Sequence, residues 1–229
     1  MPNYDLVLLD ADDTLFDYDL AEAGALAKLF AAHRFPYAPE VRAEYRRIKT
    51  ALWADFEHGR ISKSGLQSAR FQRLLQACGL TGDGEALNGE YLDYLAEGAH
   101  LLPGAEEVCR SLSEHCTLVL ATNGIARCQR RRVALSPIGQ FISQIAVSEE
   151  AGYQKPQAGF FDYAFGLCGH TDRSRAIMVG DSLSADMAGG AAFGITTCWY
   201  NPHGKAMPAP YRSDYQISSL AELLPIILS

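Results

Sequence analysis

The chain has 229 residues, of which 48% are hydrophobic and 21% charged, with 20 glycines and 10 prolines. That length suits one large domain or a core with a smaller appendage, and that composition excludes a disordered, collagenous or coiled-coil chain. Lys and Arg number 20 against 27 Asp and Glu, a formal charge of -7, which opposes condensation onto nucleic acid or an anionic membrane but leaves room for a small anion held by a few local donors.

The start, Met1-Pro2-Asn3-Tyr4-Asp5, has neither the basic region nor the long apolar stretch of a signal peptide, and no apolar run reaches the roughly 18 residues of a membrane helix. Six cysteines (Cys78, Cys109, Cys116, Cys128, Cys168, Cys198) form no C-x-x-C pair. These features predict a cytoplasmic protein with reduced thiols.

Leu6-Val7-Leu8-Leu9 is a short apolar run ending at Asp10, the pattern of a strand buried on both faces of a parallel sheet. Residues 17–100 break from strands into helices. After Pro39, the apolar residues Val41, Tyr45, Ile48, Leu52 and Phe56 make one helical stripe, with Arg42, Arg46 and Lys49 off it. Ser62 or Ser64 starts the next helix, whose stripe runs through Leu66, Arg70, Phe71, Leu74, Leu75 and Cys78 to Gly79. A further helix carries Leu87, Tyr91, Tyr94 and Leu95, and Leu102-Pro103-Gly104 marks its end. Apolar runs then return at residues 116–121, 176–179 and 196–200, separated by helix-length segments. The alternation predicts an α/β fold with a doubly wound parallel sheet, made of residues 1–16 and 101–229, interrupted by an all-helical insert at 17–100.

In such sheets ligands bind beyond the carboxyl ends of the strands, where three predicted strands end in polar clusters. The first ends in Asp10-Ala11-Asp12-Asp13-Thr14, the second in Thr122-Asn123-Gly124 and the third in Gly180-Asp181-Ser182-Leu183-Ser184-Ala185-Asp186; Gln154-Lys155-Pro156 supplies a fourth. Each alone reads as a turn or helix cap. Together they read differently: crowded carboxylates stay ionised beside a divalent cation, while Thr, Asn and Lys offer donors to a phosphate, which describes a phosphoryl-transfer site.

Asp10-Ala11-Asp12-Asp13-Thr14 resembles the D-x-D-x-[TV] signature of the haloacid dehalogenase (HAD) superfamily. Thr122, Lys155-Pro156 and Gly180-Asp181 with Asp186 resemble its second, third and fourth motifs in order, and the insert resembles its helical cap of the C1 type. The resemblance implies a Rossmann-like HAD core and a phosphatase in which Asp10 is the nucleophile and Asp12 the general acid and base. It also implies Mg²⁺, with Mn²⁺ as the alternative ion, held by Asp10, Asp181 and the Asp12 carbonyl, with Asp186 bound directly or through water. Thr122, Asn123 and Lys155 would bind the transferring phosphate, helped by main-chain N–H groups near Ala11, Asp12 and Asn123. An acid at position 12 sets the chain apart from the dehalogenase branch, whose halide leaving group needs no proton.

The stretch from Leu9 to Phe16, the Thr122-Asn123-Gly124 turn, the motif from Gly180 to Asp186 with Gly189-Gly190, and Thr197-Cys198-Trp199-Tyr200-Asn201 are similar to the soluble bacterial pyrimidine 5′-nucleotidases. That similarity implies a nucleoside 5′-monophosphate as the small phosphorylated partner. The alternatives are a phosphoglycolate or sugar-phosphate phosphatase, a phosphosugar mutase, and a non-catalytic binding protein. The last is disfavoured because Asp10, Asp12 and Lys155 are all present.

Arg127 and the run Arg130-Arg131-Arg132 point around a helix rather than along one face and are expected to be solvated. The six histidines show no zinc spacing, no P-loop or G-x-S-x-G occurs, and Trp53, Phe56, Tyr91 and Tyr94 are expected to pack rather than stack on a base.

Overall fold

Six parallel strands form one sheet: β1 (Leu6–Leu9), β2 (Thr117–Thr122), β3 (Gln144–Val147), β4 (Ala176–Gly180), β5 (Thr196–Tyr200) and β6 (Tyr215–Ile217), in the order β3-β2-β1-β4-β5-β6. The computed structural model describes residues 2–229. The predicted runs became the four central strands, within a residue at each end. The edge strands β3 and β6 were not foreseen: Gln144, Tyr215 and Gln216 are exposed, and short, polar edges carry no apolar run.

The chain divides into two compact units, Met1–Tyr18 with Ala99–Ser229, and Asp19–Gly98. The second is helical: α1 (Tyr18–Ala32, which begins at the end of the first unit), α2 (Pro39–Glu57), α3 (Lys63–Cys78) and α4 (Gly84–Ala96). Pro39 opens α2 with its preset φ. The Ser62 hydroxyl accepts from the Gly65 N–H at 3.1 Å to start α3, and Gly79, at φ +64°, ends it in the left-handed region. Asp83 caps α4 by accepting from Glu85 and Ala86 N–H groups.

Tyr45 from α2, Phe71 from α3 and Tyr91 from α4 meet as a ring cluster with centroids 5.2 to 5.7 Å apart. Phe56 is buried too, while Trp53 and Tyr94 are half-buried. Arg70 lies on the apolar stripe and is buried, with its guanidinium over the Tyr91 ring and donating to Asn88 Oδ1. Glu22 of α1 is fully buried and paired with Lys49. A buried charge requires such a partner.

In the first unit the strand period sorts the side chains. Val7 and Leu9 of β1, Leu118 and Leu120 of β2, and Ile177 and Val179 of β4 pack on one face with Val108 and Leu112 of α5 (Ala105–Ser113). Leu6 and Leu8, Val119 and Ala121, and Met178 pack on the other with Phe160 and Phe161. The remaining helices of this unit are α6 (Ala126–Leu135), α7 (Ser148–Ala151), α8 (Ala158–Cys168, which carries the two phenylalanines), α9 (Ala188–Phe193) and α10 (Leu223–Leu228). No helix among the described residues is long and apolar enough to cross a membrane, and all six cysteines are free thiols.

Leu8 sits in the central strand with no exposed surface. Leu8→Ala is expected to lower unfolding free energy by about 2–5 kcal/mol in urea titration; a loss below about 1 kcal/mol contradicts the placement of the core.

Candidate active site

β1 pairs with β4 up to its last residue, Leu9 opposite Val179, and the Asp10 N–H continues the ladder by donating to Val179 O at 2.9 Å. Beyond Asp10 the chain folds back on itself. The Leu15 and Phe16 N–H groups both donate to Ala11 O (3.0 and 2.9 Å), and the Asp13 N–H donates to Phe16 O at 2.8 Å. Asp13 sits at φ +59°, a conformation that Asp tolerates better than most side chains. This tight loop holds Asp10, Asp12 and Thr14 at the carboxyl edge of the sheet, where the strand order reverses beside β1.

Lys155 is buried at 2% exposure, and its Nζ donates to Asp10 Oδ1 (2.6 Å), Asp186 Oδ1 (2.7 Å) and Ala121 O (2.7 Å). An ammonium has three N–H donors, and all three are engaged. Asn123 fixes the Lys155 backbone reciprocally: its Nδ2 donates to Lys155 O and its Oδ1 accepts from Lys155 N–H, both at 2.9 Å. The Asn123 side chain is therefore a brace for Lys155. Thr122 is buried at the end of β2, and its hydroxyl oxygen accepts from the Gly124 N–H at 2.9 Å.

β4 delivers the remaining acids. After Gly180 the chain enters a single π turn, Leu183–Met187, in which the Met187 N–H donates to Ser182 O at 3.1 Å, five residues back; such turns recur at functional sites. The turn brings Asp186 back over Gly180, where its Oδ2 accepts from the Ser182 N–H at 3.1 Å. A Cβ at position 180 would lie 2.1 Å from that same oxygen, so this position requires glycine. The Asp181 carbonyl is anchored by the Trp199 indole N–H at 2.9 Å. Asp10, Asp181 and Asp186 each offer an oxygen, and the three lie within 4.8 Å of one another.

The electrostatics follow from that crowding. Burial pushes the Asp10 carboxyl up to about 7, with Lys155 opposing the shift and Asp186 and Asp12 adding to it. Burial, then the charges of Asp10, Asp186 and Asp13, push Asp181 up to about 8. Lys155 is raised despite its burial, because it faces the Asp10 and Asp186 carboxylates. The cluster carries more acid than one lysine offsets.

Asp12 has a separate pair of partners. Its Oδ1 accepts from Arg132 Nη1 and its Oδ2 from Gln129 Nε2, the latter at 2.7 Å. Sequence reasoning missed both donors. Arg127, Arg130 and Arg131 are exposed as expected, but Arg132 is 1% exposed and corrects the reading of the run as wholly solvated. On a helix, residues three apart share a face, so a basic run that wraps a helix must turn one member inward; Gln129, three before Arg132, was the available signal.

The family profile for haloacid dehalogenase-like hydrolases matches residues 4–194, and the chain belongs to that family. The magnesium-bound crystal structure of the HAD-hydrolase YfnB from Bacillus subtilis superposes with a TM-score of 0.93 at 35% identity, covering 98% of each chain. Pyrimidine 5′-nucleotidase YjjG of Escherichia coli is 31% identical over 96% of each chain. Pyrimidine 5′-nucleotidase PynA of Streptococcus pneumoniae is 36% identical over 96% of this chain and 94% of its own.

The raised carboxyls give a test of the cluster. In the unfolded chain Asp181 loses its proton near 3.8, and in the folded chain near 8, so between these values the folded state binds the extra proton and stability falls as pH rises. Asp181→Asn escapes that cost. In chelator, its melting temperature is expected to climb relative to the original chain from about pH 4 to about pH 8, as read by calorimetry; a difference independent of pH contradicts the assignment.

Proposed function

We propose that this hydrolase cleaves phosphate monoesters through an aspartyl-phosphate on Asp10, and that its substrates are nucleoside 5′-monophosphates. The observation that carries the chemistry is the Asp10 carboxylate at a strand end, gripped by buried Lys155 beside two further acids. The substrate class is supported by the two pyrimidine 5′-nucleotidases matched over nearly their whole length.

The donor set fits a hard divalent ion: three clustered carboxylates, all oxygen, two of which are pushed toward the protonated form by burial and by neighbouring acids. Mg²⁺ would be held by Asp10, Asp181 and the Asp12 carbonyl. Asp186, with its oxygens taken by Lys155 and the Ser182 N–H, would act through water. When bound, the ion offsets the repulsion between the carboxylates and an incoming phosphate. The magnesium in the YfnB structure supports this choice.

An Asp10 oxygen attacks phosphorus as the ester P–O bond breaks, and Asp12 gives its proton to the leaving alkoxide. Asp12 then takes a proton from the water that attacks the aspartyl-phosphate, releasing inorganic phosphate and restoring the Asp10 carboxylate. Thr122 donates its hydroxyl hydrogen to a phosphoryl oxygen, since its oxygen already accepts from Gly124. Lys155 donates to the transferring group as the Asp10 oxygen it holds moves onto phosphorus.

Phosphate release from a panel of nucleoside monophosphates, phosphoglycolate and hexose phosphates tests this reading. The expected result is fastest release from pyrimidine nucleotides with Mg²⁺, loss in EDTA, and a fall of at least about a thousandfold in Asp10→Asn. Equal release by Asp10→Asn overturns the nucleophile; preference for phosphoglycolate or a hexose phosphate overturns the substrate class.

A further inference from the structure

The Asp12 carboxylate is unusual in this site because neither of its side-chain partners belongs to the acidic cluster. Arg132 Nη1 holds one oxygen and Gln129 Nε2 the other, and Arg132 Nη1 also reaches Gln129 Oε1 at 3.4 Å, closing a three-membered ring of contacts. Both donors are at most 2% exposed, whereas the Asp12 side chain keeps 28% of its surface open.

Each donor is itself fixed. The Arg132 guanidinium lies over the ring of fully buried Phe16, 4.6 Å from its centroid. Phe16 is tied by its own N–H to Ala11 O, within the loop that carries Asp12. Gln129 occupies space that exists because residue 124 is glycine: a Cβ there would lie 2.4 Å from its Nε2. The same loop and the same turn that build the phosphate site thus also build the clamp.

A carboxylate held at one oxygen still swings about its χ2, whose torsional well is broad. One held at both oxygens by donors from a single helix does not. A proton donor gains rate only when its oxygen lies within hydrogen-bond reach of the atom it serves.

We propose that Arg132 and Gln129 are positioning residues that fix the plane of the Asp12 carboxylate for proton transfer to the leaving oxygen. The inference rests on Asp12 being the proton donor. It adds that the donor's aim is set from α6, by a Gln-x-x-Arg pair immediately after the Thr122-Asn123-Gly124 turn.

The test compares two leaving groups. An alkoxide, as from uridine 5′-monophosphate, needs a proton to depart, whereas p-nitrophenolate does not. Asp12→Asn first sets the scale: it is expected to lower kcat/KM for uridine 5′-monophosphate far more than for p-nitrophenyl phosphate. Arg132→Met, which keeps a long side chain over Phe16, is expected to reproduce that split, with about a hundredfold loss on the nucleotide and less than about threefold on the aryl ester. Gln129→Leu, which leaves the buried cation paired, is expected to show the same split at smaller size and covers the case in which Arg132→Met does not fold. Equal losses on both substrates in these two variants, or no loss in either, overturn the clamp while Asp12→Asn still splits them. No split in Asp12→Asn overturns the assignment of Asp12 itself.

Discussion

The site is organised by one buried cation. Lys155 joins the end of β1 through Asp10, the end of β2 through Ala121 O and the π turn after β4 through Asp186. Removing one partner of a buried ion pair typically costs about 3–5 kcal/mol, because the other charge is left unpaired; here two carboxylates would be left. The same ammonium opposes the burial that pushes the Asp10 carboxyl up to about 7. Structural and chemical demands on this residue therefore coincide, and Asn123 and Gly180 serve it indirectly, one by bracing its backbone and the other by making room for Asp186.

The chain holds its acids in two differently managed groups. Asp10, Asp181 and Asp186 crowd together around less positive charge than they carry, an arrangement that favours a divalent ion. Asp12, two residues from Asp10, is drawn to an arginine and a glutamine instead. Two carboxylates so near in sequence thereby face different surroundings, which suits the roles proposed for them, one attacking phosphorus and the other moving protons.

Much of this was legible in the sequence, for a physical reason. Central parallel strands are apolar on both faces, so Leu6–Leu9 and its three counterparts announce themselves as uninterrupted runs, and the polar residues that stop those runs lie at the edge where ligands bind. Edge strands lack that constraint, which is why Gln144–Val147 and Tyr215–Ile217 passed unnoticed. Lys155 stood out in the Gln154-Lys155-Pro156 cluster, but its full engagement by three acceptors is a three-dimensional fact. Arg132 was misread because, although Gln129 marks its helix face, the carboxylate that accepts from it lies 120 residues away in the chain. Asn123, expected near phosphate, also holds the Lys155 backbone with its side chain, a role that residue type alone does not distinguish.

Asp10 is expected to become covalently phosphorylated during turnover. Turnover quenched in acid, followed by borohydride reduction and peptide mass spectrometry, reads this directly, because reduction converts an aspartyl-phosphate to homoserine. Homoserine at position 10, dependent on substrate, is the expected result. Phosphate release without modification at position 10, under conditions that reduce a control acyl phosphate, would contradict it.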